Sequence, residues 1–200
     1  PIVIGEESSA VIAQGTGAGL VVVDAHTGRK VWTSDFAARN TANCPSPVYG
    51  DGHLVWAVGY GKGAVCVKVE QAGGKWNFQE AWRSAKLASH MGSPIIHEGH
   101  LYGIDDKGGL SCFDLKTGQV KWNERAASKG SMVYADGMIY AFAEGRGKVT
   151  LVAASPEAPK VAGSFSVAGQ NQSWAYPAIS GGRLYLRYGN NLYCYEVKAK

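Results

Sequence analysis

The chain of 200 residues is 46% hydrophobic and 18% charged, with a net charge of +4, the composition of an ordinary globular protein. No basic cluster exceeds two adjacent Lys or Arg, so no nucleic-acid partner is expected. No run of eighteen apolar residues occurs, so no helical membrane insertion is expected either.

From Pro1 onward the chain is a succession of short β-type runs. A first run at 1–4 (PIVI) leads to GLVVV at 19–23, and then to KVWTSDF at 30–36. The second unit begins at Ser46-Pro47-Val48-Tyr49, turns at Asp51-Gly52, and continues through HLVWAVG (53–59), GAVCVKV (63–69) and EAWRSA (80–85), with an insertion around Gly73-Gly74. The third begins at Ser93-Pro94 and turns at Glu98-Gly99. It runs on through HLYGID (100–105), GLSCFDL (109–115) and VKWNERA (120–126). The fourth starts near Ser131-Met132 and turns at Asp136-Gly137; the fifth starts at Tyr176-Pro177 and turns at Gly181-Gly182.

The runs are four to seven residues long, rich in Val, Ile, Tyr and Trp, and bounded by Gly, Asp and Asn. That pattern predicts strands and hairpins, with almost no helix. Unit starts at 1, 47, 94, 132 and 177 are spaced by 38–47 residues, the length of a four-stranded propeller blade. The chain is therefore read as one repeat domain over 1–200, with units at about 1–36, 45–84, 92–125, 130–167 and 175–200.

Cys66, Cys112 and Cys194 fall at one position of the third strand in three units, where the other two carry Val22 and Leu151. A position shared by Cys, Val and Leu predicts small apolar core residues. Neighbouring sheets stack about 10 Å apart, beyond the reach of a disulfide. All three thiols are expected to be buried and unpaired. Cys44 falls in a loop.

A nine-residue phrase occurs twice. Asp24, Thr27, Gly28 and Trp32, and again Asp114, Thr117, Gly118 and Trp122, fit Asp-x-x-Thr-Gly-x-x-x-Trp. The second unit keeps the aromatic as Trp82, and Phe165 is the expected stand-in in the fourth. This phrase resembles the repeat of the pyrroloquinoline-quinone (PQQ)-like β-propellers, and the stretch 174–200 resembles the end of secreted bacterial PQQ-like repeat proteins. The resemblance implies an all-β propeller of four-stranded antiparallel blades. About four and a half to five blades would be present, as an open partial propeller, and each motif Trp would pack on the neighbouring blade. It also implies a periplasmic or secreted location. Because Pro1 opens a first strand, two to four further blades are expected before it, and the isolated segment is expected to self-associate.

In such a fold the loops from the fourth strand to the next first strand share one face with the loops between strands two and three, and function gathers there. The candidates on that face are Arg39, Asn43, His90, Lys129, Arg146, Asn171, Gln172, Trp174 and Arg187, with Asp105, Asp106 and Glu144 beside them. Trp174 stands outside the motif position; together with Asn171 and Gln172 it suits a small polar planar ligand or a sugar. His97 and His100 flank a turn without a third ligand, so no metal site is assigned.

The family resembled includes both quinoprotein dehydrogenases and non-catalytic scaffolds. The favoured reading is a non-catalytic binding or scaffold propeller of the bacterial envelope, whose partner is a small polar ligand or a protein. The alternative is a PQQ-dependent alcohol or polyvinyl-alcohol dehydrogenase whose catalytic half lies in an N-terminal part expected before Pro1. The resemblance implies that such an enzyme needs Ca²⁺, an adjacent Cys-Cys pair, a catalytic Asp and an aromatic floor. No Cys-Cys pair occurs in this chain.

Overall fold

A computed structural model describes residues 1–39 and 43–198. Residues 40–42, next to the candidate Asn43, and residues 199–200, which end the last expected repeat, lie outside the described residues.

The chain folds into five antiparallel sheets, each built from strands adjacent in sequence. Blade 1 contains β1 (Ile2–Ile4), β2 (Val11–Thr16), β3 (Gly19–Asp24) and β4 (Lys30–Ser34). Blade 2 contains β5 (Val48–Gly50), β6 (His53–Val58), β7 (Gly63–Ala72) and β8 (Lys75–Ser84). Blade 3 contains β9 (Ile95–His97), β10 (His100–Ile104), β11 (Leu110–Asp114) and β12 (Val120–Glu124). Blade 4 contains β13 (Gly130–Ala135), β14 (Met138–Ala143), β15 (Lys148–Ala153) and β16 (Lys160–Ser166). Blade 5 has three strands, β17 (Ala178–Ser180), β18 (Arg183–Tyr188) and β19 (Asn191–Glu196). Among the described residues the helical content is one 3-10 turn, Glu7–Ser9.

The hairpins between first and second strands follow from their turn residues. Asp51-Gly52, Glu98-Gly99, Asp136-Gly137 and Gly181-Gly182 all have both φ angles positive, between 47° and 76°. Two successive positive φ angles give the turn whose twist matches a hairpin.

The Asp-x-x-Thr-Gly turns are built alike. Asp24 Oδ1 accepts the Thr27 N–H and hydroxyl, each at 2.8 Å, and Asp114 Oδ1 accepts the same groups of Thr117 at 2.8 and 2.7 Å. The Gly28 and Gly118 N–H groups each close back on the Asp carbonyl at 2.9 Å. Bonds from the Thr27 backbone and hydroxyl hold the Asp24 carboxyl below its ordinary pKa; the Thr117 hydroxyl and backbone do the same for Asp114.

Directly before each motif Trp the strand pairing slips by one residue, between Val22/Val23, Cys66/Val67 and Cys112/Phe113. The same slip recurs in blade 4 between Leu151/Val152. A bulge at one fixed place bends the outer strand and aims the ring. The aimed indoles bind blades together. Trp82 Nε1 donates to Leu115 O of blade 3 at 2.9 Å, and Trp122 Nε1 donates to Ser155 O of blade 4 at 3.0 Å. In blade 4 the bulge puts Gly163 opposite Leu151, so Gly163, and not Phe165, holds the Trp position. Phe165 lies two residues further on and still meets blade 5, its ring 5.0 Å from that of Tyr195.

Blade 2 departs from the pattern. Its insertion extends β7 and β8 to ten residues each around a Gly73-Gly74 turn, and the longer hairpin reaches blade 1. There Phe78 stacks on Trp32 at 5.8 Å and Trp76 Nε1 donates to Ser9 O at 2.7 Å.

Four apolar clusters fill the four spaces between successive blades. Trp56 is the largest fully buried side chain; its N–H reaches Pro45 O at 2.8 Å and its ring lies where a Cβ on Gly15 would stand. Cys66 and Cys112 are buried, and burial pushes their thiols up to about 12 and about 11. Cys194 corrects the sequence expectation. It pairs with Tyr185 as Cys66 pairs with Val55, but its side of blade 5 faces no sheet, and it is exposed. Leu192, on the same side, is 72% exposed, and at the other end of the arc Val3 of blade 1 is 66% exposed. Both end blades thus have an uncovered face, and the described sheets form an open arc.

Candidate functional site

Alternation of antiparallel strands brings the β4–β5, β8–β9, β12–β13 and β16–β17 connections to the same end as the β6–β7, β10–β11, β14–β15 and β18–β19 turns. On that face a polar chain crosses blades 2 to 5. Tyr60 packs its ring 4.4 Å from that of His90. His90 Nδ1 lies 3.5 Å from Lys129 Nζ, which it accepts when the imidazole is neutral. Lys129 pairs with Glu144 Oε2 at 3.3 Å, and Glu144 Oε1 accepts the Trp174 indole N–H at 2.9 Å.

The carboxylates of this face are occupied in bracing loops. Asp106 accepts the His90 N–H at 2.6 Å and the Tyr60 N–H at 3.0 Å, locking the β6–β7 turn to the β8–β9 connection. Asp105 closes its own turn on the Lys107 and Gly109 N–H groups. Burial pushes the Glu144 pKa up, but the Trp174 and Lys129 bonds outweigh it and hold the carboxyl below its ordinary value.

Nearer the first strands, Tyr176 spans from the β16–β17 connection to the β8–β9 connection. Its hydroxyl accepts the Ser93 N–H at 2.8 Å and donates to Met91 O. Ser131 Oγ donates to Ala175 O at 3.2 Å, and a Cβ on Gly92 would stand 2.6 Å from Gly130 O. The β8–β9 and β16–β17 connections and the start of β13 therefore converge in close contact. At the edge of the same face a groove of about 460 Å³ is lined by Asn171, Gln172, Trp174, Arg187 and Asn190.

The structure thus gathers His90, Lys129, Asp106, Glu144 and Trp174 in one network, and Asn171, Gln172 and Arg187 with Trp174 around one groove. Others stand apart. Asn43 brackets Ala38, accepting its N–H at 3.1 Å and donating to its carbonyl at 3.0 Å. Arg39 is exposed in the same connection. Arg146 is exposed at φ 63°, held through its N–H on Tyr188 Oη at 3.1 Å. His97 and His100 lie at the opposite end, where His97 Nε2 meets Tyr134 Oη at 3.2 Å. Sequence reading missed Tyr60 and Tyr176. A Tyr between glycines in a turn, and a Tyr directly before the Pro that opens a first strand, were the available signals.

PQQ with Ca²⁺ does not fit this face. Asp105, Asp106 and Glu144 are turned to loop N–H groups, Lys129 and Trp174. Among the described residues no three His, Cys, Asp or Glu side chains gather to hold a metal.

Comparison with known proteins gives the family. The family model described as outer membrane protein assembly factor BamB matches residues 2–124. No match is found among curated protein sequences. The crystal structure of BamB from Moraxella catarrhalis superposes with a TM-score of 0.70 at 14% identity, covering 96% of this chain and 56% of that one. The computationally designed Ika8 protein gives 0.69 at 13% identity, covering 98% and 57%. Quinohemoprotein alcohol dehydrogenase from Comamonas testosteroni gives 0.65 at 12% identity, covering 92% and 43%. These likenesses are of fold, and the chain spans less than two thirds of each of those structures. With more than half of its residues matched by the family model, the chain belongs to the PQQ-like β-propeller repeat family of the assembly factor BamB.

Proposed function

We propose that this chain is a non-catalytic binding or scaffold propeller of the bacterial cell envelope, periplasmic or secreted, that takes its ligand on the face carrying Trp174. The observation that carries this reading is the use made of the charged side chains there. Glu144, paired with Lys129, accepts the Trp174 indole N–H and leaves the residue 64% exposed. A large aromatic fixed from behind and open in front presents contact area whose ordering cost is already met. Asp106 and Asp105 stiffen loops of blades 2 and 3 on the same face. The envelope location follows the family description, which names an outer-membrane assembly factor.

The competing reading is a PQQ-dependent dehydrogenase, which the fold alone accommodates. Reconstitution with PQQ and Ca²⁺, followed by dye-linked alcohol oxidation, separates the two. The binding reading predicts no stoichiometric PQQ uptake and no alcohol-dependent dye reduction. Stoichiometric uptake with alcohol-dependent reduction overturns it.

A further inference from the structure

One position shows why a groove opens at blade 5. Four residues on from the second-strand residue opposite the Cys66, Cys112, Leu151 or Cys194 position stand Gly59, Asp106, Glu144 and Gly189. In blades 3 and 4 this residue is an acid that ties the preceding connection, through the His90 N–H and through Lys129. In blade 5 it is Gly189, at φ 59° and close against Gln170 O, with no side chain to tie the connection from this position; Asn191 Nδ2 and Tyr193 Oη reach the connection at Ala168 O instead, at 3.3 and 2.5 Å. The space left between Trp174 and the β18–β19 turn is the groove.

Its lining is polar and uncommitted. The side chains of Asn171, Gln172, Arg187 and Asn190 make no hydrogen bond or ion pair with the other described residues, and all four residues are exposed. Arg187 stands at the strand position that Ala57, Ile104 and Phe142 hold as buried apolar residues in blades 2 to 4. The groove therefore combines a flat, fixed indole, three amides and one guanidinium.

Each part selects chemistry. An indole face takes the apolar C–H face of a saturated ring or another π-system. Amides offer donors and acceptors together, as hydroxyl groups require. A guanidinium forks onto one carboxylate. A polycarboxylate quinone would call for several cations, and the groove lining holds Arg187 alone. We propose that this groove binds the pyranose ring of an acidic sugar, the ring seated on Trp174 and its carboxylate on Arg187. The proposal deepens the binding-propeller reading and rests on it.

The test is saturation-transfer NMR on D-glucuronate, with D-glucose and acetate as comparators. Glucuronate is expected to bind saturably in the millimolar range, with transfer strongest to its ring C–H protons, and about tenfold more tightly than glucose, the worth of one charge-assisted contact. Arg187→Gln should remove that tenfold preference and leave glucose unchanged. Trp174→Ala should abolish transfer to both sugars. Both positions are exposed, so the unfolding midpoint of each variant should stay near the wild type. No saturable glucuronate binding, binding indifferent to both substitutions, or displacement by acetate at equal concentration would overturn the proposal. Those results leave the binding-propeller reading standing; PQQ uptake with alcohol-dependent dye reduction would remove both.

Discussion

The two ends of the blades obey different rules. At the end bearing the Asp-x-x-Thr-Gly turns, Asp24 and Asp114 repeat the same bonds to within 0.1 Å, the bulge before the position of Trp32, Trp82, Trp122 and Gly163 falls at one place in four blades, and the indoles of Trp82 and Trp122 both donate to a backbone carbonyl of the next blade. At the other end, among the described residues, no connection repeats another. Asp106 locks backbone, Glu144 holds a lysine and an indole, and Gly189 holds nothing across the gap. Repetition serves the contacts every blade must make with its neighbour. Divergence is tolerated where only the loops meet, and that is where the exposed aromatic and the free amides lie.

The largest effect should come from the repeating end. Trp122→Ala removes a ring that is buried between blades 3 and 4 and hydrogen bonded to Ser155. It should cost about 3–5 kcal/mol in a denaturant titration. Trp174→Ala, at the divergent end, should cost no more than about 0.5 kcal/mol. Equal losses from the two substitutions would erase the distinction between the ends.

Gly28 and Gly118 sharpen the comparison within the repeating end. Both have φ 70°, so Ala at either should cost about 1–2 kcal/mol in left-handed strain. Open space surrounds Gly28, whereas a Cβ on Gly118 would stand 2.6 Å from Trp82. Gly118→Ala should therefore cost a further 1–3 kcal/mol, roughly the penalty of overpacking. Equal costs at the two glycines would mean that the indole does not seat on the turn.

A smaller effect is expected from acid. The folded pKa of Glu144 lies below its unfolded value, so its contribution is present at neutral pH, above the unfolded pKa. It is lost as pH falls through the lower folded value. The face is partly open, so the amount is below about 1 kcal/mol. Stability curves of wild type and Glu144→Gln should converge as pH drops through that acid window, with Lys129, His90 and Trp174 as the facing groups. Parallel curves would show that Glu144 is not engaged.

Most of the repeating end was legible in the residues. The turn pairs and the strand order follow from Gly placement and β-type runs, because local chemistry dictates them; the interblade role of Trp82 and Trp122 was implied by the family that the recurring phrase resembles. Cys194 was misjudged because burial is a property of the neighbour. Its strand position matches that of Cys66, yet no sheet faces it. Phe165 was assigned to the Trp position because a one-residue bulge cannot be seen in a spacing. At the divergent end residue type alone pointed to Lys129, Glu144 and Trp174, but their linkage depends on loop paths that carry no periodic signal. The bracing roles of Tyr60 and Tyr176 depend on contacts 46 and more residues away in sequence.

The central claim is that this molecule meets its partner on the divergent face and holds itself together on the other. Site-specific photo-crosslinking in the natural full-length protein tests it most directly, with the crosslinker placed at the exposed positions Gln172 and Lys116 of the two ends. The account predicts reproducible crosslinks to a partner molecule from position 172 and none from position 116. Crosslinks from position 116 alone, or equally from both, would contradict it.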